Sequence, residues 1–166
     1  MISFEQAKRI ATAYLDAMNF KDGLLVILES ETIEKAYAWI FFYNTKTFIE
    51  TGDILHALGG NSPIFVSKKD GKISTYSTAY PIERGIEIHE EENKYWSLKL
   101  TENVYAEIPR LKYLKDILNL SQKVISVMKS QKQLIIDNGS HVRLERIQQK
   151  LREKNIETVL IYNSQL

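Results

Sequence analysis

Apolar residues at Ala7, Ile10, Ala11, Tyr14, Leu15 and Met18 recur at intervals of three and four, with Lys8, Arg9, Thr12 and Asp16 between them. That spacing predicts one buried stripe on a helix. Ser3 followed by Gln6 has the capping-box form that satisfies free backbone N–H groups at a helix start, and Asn19 to Gly23 ends the pattern. Two runs rich in branched and aromatic residues follow, Leu24 to Glu31 and Ala36 to Tyr43, which suit a half-buried pleated surface. They are expected to pair as a hairpin through Thr32 to Lys35. Residues 44–61 are turn-rich and carry a short apolar stretch at Ile54, Leu55 and Leu58.

Pro63 to Ser67 and Ile73 to Ser77 read as two further strands around Lys68-Lys69-Asp70-Gly71, whose Asp-Gly pair suits a hairpin turn. Pro81 opens a short helix through Glu92, because proline fits a first helical turn. Tyr95 to Leu100 is a strand. Pro109 starts helical spacing at Leu111, Leu114, Ile117 and Leu118 that can run on through Val124, Ile125 and Met128. Leu134 to Asp137 reads as a strand, Asn138-Gly139 as a turn, and Ser140 as the N-cap of a helix burying Leu144, Ile147 and Leu151. Thr158 to Tyr162 closes the chain as a strand. This last strand–helix–strand order suggests a right-handed crossover with its two strands parallel.

The chain has 166 residues, 44% hydrophobic and 26% charged, enough for one good core or two small ones. It has no cysteine, which excludes disulfides, thiolate nucleophiles and thiolate metal sites and suits a reducing compartment. No apolar run approaches a membrane span, and the N-terminus lacks a signal-peptide pattern, so a soluble cytoplasmic protein is expected. Charge is uneven: residues 1–94 carry 10 basic and 14 acidic side chains, the remainder 12 and 7. Two mutually attracting halves, or solvated helix faces, account for that more simply than a nucleic-acid arm.

Catalytic and metal-binding chemistry finds little support. Glu50 and Asp53 could divide acid and base roles, but no third polar group stands at a telling spacing. Asp53 is better read as capping the segment at Ile54, and Glu50 as accepting from loop N–H groups. Gly52, Gly59, Gly60 and Asn61 match neither a P-loop nor a dinucleotide-binding turn. His56, His89 and His141 fall in three different elements without metal-ligand spacing, and His89 reads as part of an exposed acidic helix end. No serine sits in a nucleophile elbow. Arg143, Arg146, Lys150, Arg152 and Lys154 make the best case for nucleic acid, but Glu145 and Glu153 dilute them and no DNA-reading motif accompanies them, so nucleic acid is not expected as a partner.

Trp39, Phe41, Phe42 and Tyr43 alternate across the two faces of a strand. One pair belongs to a core, and an uncovered aromatic on the other face would be a good interface anchor. The acidic run Glu83, Glu87, Glu90, Glu91 and Glu92 could steer a basic partner.

One ordered set of segments is more specific than any of these. It comprises the helix ending in Tyr14-Leu15, Trp39-Ile-Phe-Phe-Tyr43, Phe48-Ile-Glu-Thr-Gly-Asp53, Leu58-Gly-Gly-Asn-Ser-Pro-Ile-Phe-Val66, Lys69-Asp-Gly-Lys-Ile73 and Thr78-Ala-Tyr-Pro-Ile-Glu83. In this order the chain from Ser3 to Glu92 resembles the YrhB-like family, grouped as class 35 among the immunity proteins of bacterial polymorphic-toxin systems. It departs from that pattern at Gly59, where alanine is usual, at Gly85, and in its long C-terminal extension.

The resemblance implies an α+β fold, an N-terminal helix packed on an antiparallel sheet, here followed by a helix-rich C-terminal α/β extension. It divides the chain into an immunity domain, residues 1–93, and an extension of unassigned role, residues 94–166. It further implies a non-catalytic protein, without metal or cofactor, that binds and neutralises a cognate protein toxin by occlusion. A chaperone-like interaction module is the alternative the family also carries. A small hydrolase with Glu50, Asp53, His56 and a C-terminal basic residue in a site between the halves is a third reading. The interface expected from the residues is Trp39, Tyr43, Glu50, Asp53, Glu87, Glu90 and Glu91.

Overall fold

A computed structural model describes residues 1–164. It divides into two compact units, Met1–Ile82 and the chain from Glu83 onward. The mixed α+β composition with a leading helix is as the sequence implies.

In the first unit, α1 (Phe4–Ala17) begins with the expected capping box: Ser3 Oγ accepts from the Gln6 N–H, and Gln6 Oε1 from the Ser3 N–H at 2.9 Å. Its stripe of Ala7, Ala11 and Leu15 is buried against Leu25, Phe41, Tyr43, Ile64 and Val66. Alanines at two of the three positions let the helix axis approach the sheet closely. The strands are β1 (Leu25–Ile27), β2 (Ile33–Glu34), β3 (Ala38–Phe41), β4 (Tyr43–Thr45), β5 (Ile64–Ser67) and β6 (Ile73–Thr75). They form an antiparallel sheet in the order β2-β3-β5-β6 and a separate antiparallel pair, β1 with β4. The single long hairpin expected from residues 24–43 is therefore two shorter ladders. A 3₁₀ turn at Glu29–Glu31 absorbs residues between them, shifting the register from Ile27↔Tyr43 to Ile33↔Ile40.

Phe41, Ile64 and Val66 belong to the core under α1, whereas Ile40 and Phe65 are buried on the opposite face of the four-stranded sheet. Phe65 meets Tyr76 edge-on at 5.1 Å. Gly71 takes a φ of +75° in the turn between β5 and β6, where a Cβ would press on the Ile2 and Ile10 side chains.

All but the first residue of α3 (Ile82–Asn93) lies in the second unit; the short α2 (Lys46–Thr51) belongs to the first. β7 (Trp96–Leu100) is the centre of a three-stranded antiparallel sheet, flanked by β8 (Ile135–Gly139) and β9 (Thr158–Tyr162). Because both flanking strands oppose β7, they run in the same direction, as the strand–helix–strand pattern implies; they are separated by β7 and do not pair. Asn138 and Gly139 are not a turn but the last two residues of β8, paired with Ser97 and Trp96.

The helical stretch after Pro109 is two helices, α4 (Ile108–Ile117) and α5 (Gln122–Gln131). Asn119 enters the left-handed region at φ +50°, and Ser121 caps α5 by accepting from Val124 N. Asparagine tolerates that conformation and serine favours the cap, so the break is local chemistry overriding a continuous apolar stripe. Ser140 caps α6 (His141–Arg152), as expected from the sequence. Leu98, Leu100, Leu114, Ile125, Met128, Leu144, Leu151 and Ile156 form the second core. Truncating any fully buried leucine here to alanine is expected to cost about 2–5 kcal/mol.

Candidate functional site

The segment from β4 to β5, residues 44–61, is fastened from beneath by three side chains. Asn44 Oδ1 accepts from the N–H of Thr45 at 2.8 Å and of Leu58 at 2.7 Å. Thr45 Oγ1 accepts from Phe48 N as the N-cap of α2 and donates to the His56 carbonyl. Asn61 donates its amide to the Tyr43 carbonyl. The Lys46 N–H reaches back to the Leu24 carbonyl at 2.7 Å. Gly52, at φ +70°, ends α2, and Asp53 Oδ1 accepts from Leu55 N to start a 3₁₀ turn over Ile54–His56.

This fixed loop holds apolar side chains out. Ile54 is 77% exposed and Leu55 85%, with Ile49 of α2 at 43% and Leu24 at 56%. Adjacent branched side chains on a single turn have no core to enter, and Asn44 and Thr45 spend their hydrogen bonds on holding that turn in place. Binding residues are disproportionately carried by loops that a rigid scaffold holds in position. Glu50 and Asp53 lie on the same segment. Glu50 pairs with Lys46 at 3.5 Å, not with loop N–H groups as its sequence context suggests, while Asp53 is the expected cap and has His56 Nε2 at 3.9 Å.

The aromatic anchors expected from β3 and β4 are engaged within the first unit. Trp39 is met edge-on by Phe4 at 5.3 Å and covered by Lys68 Nζ at 4.2 Å from the ring centroid; Lys68 also holds Glu34 at 2.6 Å. Tyr43 is buried in the core under α1, and burial pushes its hydroxyl pKa up.

The acidic helix α3 splits by face. Glu87 pairs with Arg84 at 2.6 Å. Glu90 is buried and accepts from His141 N at 2.8 Å; Glu91 accepts from Ser140 N at 2.8 Å and from Arg143 Nε at 3.0 Å, with Lys94 on its other oxygen. Two carboxylates thus satisfy the free N–H groups at the head of α6 and complement its dipole. Burial alone would raise the Glu91 pKa, but the bonds from Lys94, Arg143 and Ser140 overcome it and hold the carboxyl at about 2. Arg143 also clasps Asp137 at 2.5 Å, a bond that raises its own pKa further. His89 is not on an exposed helix end: it is buried beside Tyr95, ring centroids 5.6 Å apart, and burial lowers its pKa to about 4 against the opposing pull of Glu92 and Glu90.

Among the described residues, no cluster of three or more His, Asp or Glu side chains is arranged to hold a metal ion. No helix among them is long and apolar enough to cross a membrane.

The profile of the immunity protein 35 family matches residues 5–91, a span that includes α1, both first-unit sheets, the braced loop and nearly all of α3. The chain belongs to the immunity protein 35 family. It is also 31% identical over 90 residues to YrhB of Escherichia coli strain K12, an alignment covering 54% of this chain and 90% of YrhB. No solved structure matches it. The family span runs past the division between the units, taking in Glu87, Glu90 and Glu91 of the second. Within that span, Ile54 and Leu55 are the site residues that the sequence reading left without a role. The sequence carries a signal for them: the adjacent Ile54 and Leu55 follow directly on Gly52-Asp53, turn residues that open no long apolar-periodic element.

Proposed function

We propose that this member of the immunity protein 35 family is a non-catalytic binding protein that neutralises a cognate bacterial toxin by occluding it in the cytoplasm of the producing cell. The contact surface is the braced loop, with the exposed Ile54 and Leu55 as apolar anchors, Ile49 of α2 as a further exposed apolar side chain, and Glu50 and Asp53 as its acidic groups. The observation that carries this reading is the exposure of Ile54 and Leu55 on a segment fastened by Asn44, Thr45 and Asn61. A preorganised loop loses little conformational entropy on binding, and a few side chains packed into desolvated pockets carry most of an interface's energy. The acidic groups suit a basic partner, such as a toxin that acts on nucleic acid.

The test is co-expression with the toxin encoded beside this gene, reading growth and co-purification. The wild-type chain is expected to restore growth and to co-purify at fixed stoichiometry. Replacing Ile54 and Leu55 together by aspartate should abolish both while leaving the thermal unfolding midpoint unchanged. Protection that survives this double substitution would remove the loop from the interface. Binding to many unfolded proteins without protection would favour a chaperone-like role.

A further inference from the structure

The second unit carries a groove of about 340 Å³ between α4 and α5, outside the span matched by the family. Ile108, Leu111 and Ile125 supply its apolar surface, and Lys112, Lys115 and Asp116 stand along α4 beside it. Ile108 is 77% exposed, although it opens α4 directly before Pro109. We propose that this groove docks a short segment of a partner protein that is both acidic and apolar.

Charge identifies the occupant. Residues 108–132 carry six basic side chains and one acidic, Asp116. Arg110 is taken up by Glu102 and Glu107. Among the described residues no ion pair with a carboxylate involves Lys112, Lys115, Lys123, Lys129 or Lys132. Helix stability accounts for Lys115 and Lys129, each in the last turn of its helix. It does not account for Lys112, which lines the groove from the middle of α4, away from either helix end. An apolar floor beside unneutralised lysines matches the apolar stripe and acidic flanks of an amphipathic segment, bound in the helix-in-groove manner.

Single-stranded nucleic acid fits less well. It requires aromatic platforms for base stacking, and no aromatic residue lines the groove. The aromatic residue of α4, Tyr113, is engaged elsewhere, donating to the Lys150 carbonyl beneath Lys154 Nζ. The proposal stands independently of which surface of the first unit meets a toxin.

The experiment uses the full chain and three labelled probes followed by fluorescence anisotropy. The first is a peptide of about twelve residues with leucine at helical three-and-four spacing and glutamate elsewhere. The second has lysine in place of every glutamate, and the third is an oligothymidylate of similar length. The acidic peptide is expected to bind at least about tenfold more tightly than the other two. Backbone amide NMR shifts should concentrate in residues 108–125, and Lys112→Glu with Lys115→Glu should weaken binding about tenfold without changing the circular dichroism spectrum. Equal affinity for both peptides, preference for the oligonucleotide, shifts centred elsewhere, or no binding at about millimolar peptide would overturn the proposal. So would self-association in sedimentation that the double substitution abolishes, since the occupant would then be a second copy of the chain.

Discussion

Arg143 Nε donates to Glu91 Oε2 at 3.0 Å, joining the end of α3 to the first turn of α6 across 52 residues of sequence. The same oxygen accepts from Ser140 N, so one carboxylate atom caps a helix and holds a guanidinium. Glu91→Gln keeps the shape and removes the charge. With the Glu91 side chain 37% exposed, a loss of about 1–2 kcal/mol is expected at neutral pH, the range for charge-assisted hydrogen bonds reduced for solvent screening.

That difference should depend on pH in a defined window. The Glu91 pKa is lowered from 4.5 to about 2 on folding, so its contribution is complete above about 4.5 and disappears as pH falls toward 2. Urea midpoints of wild type and Glu91→Gln, measured from neutral to acid pH, are expected to converge through that interval. A gap that stays constant would show that the charge of Glu91 is not the stabilising feature.

His89 gives a second window at higher pH. Its pKa falls from 6.5 to about 4 on folding, so the unfolded chain binds the proton more readily and stability declines as pH drops from 6.5 to 4. His89→Gln removes the titration. Relative to wild type, the variant should gain stability through this interval and show no further relative change below it. The midpoint difference read at closely spaced pH values checks this.

Gly139 ends β8 without a left-handed φ, so only space restricts it. A Cβ there would overlap Glu91 Oε2 and Arg143 Nη2, both held in place by other bonds. Gly139→Ala is expected to cost about 1–3 kcal/mol, as overpacking does. If the clash acts through the ion cluster, combining it with Glu91→Gln should cost less than the sum of the two changes.

Thr45 connects the two turns of the braced loop. Thr45→Ala should cost about 1 kcal/mol from the lost cap, and amide exchange in residues 46–57 should accelerate by about the matching factor, tenfold for 1.4 kcal/mol. Thr45→Ser, which keeps the hydroxyl, should restore most of the protection.

Elements whose cause is local were readable from the sequence. The capping box at Ser3 and Gln6, the cap at Ser140 and the turn at Gly71 each depend on residues within one turn of the chain. Features decided by distant partners were not. An acidic run reads as a solvated surface until α6 is seen to present its N-terminus to Glu90 and Glu91. Asn138-Gly139 reads as a turn, yet both residues pair with β7, some forty positions earlier in the chain. Within the candidate site, Asp53 was legible as a cap because its partner is two residues away. Trp39 was not legible as covered, because Phe4 and Lys68 reach it from other elements.

The fastening of the loop has a consequence for how such a surface changes over generations. Asn44, Thr45 and Asn61 secure the segment through its backbone and its ends, and Ile49, Ile54 and Leu55 take no part in that bracing. Mutations at the tip therefore alter what the loop touches without altering whether it is formed. A lineage facing a drifting partner can follow it by exchanging a few outward side chains, while selection on folding acts on a different set of residues.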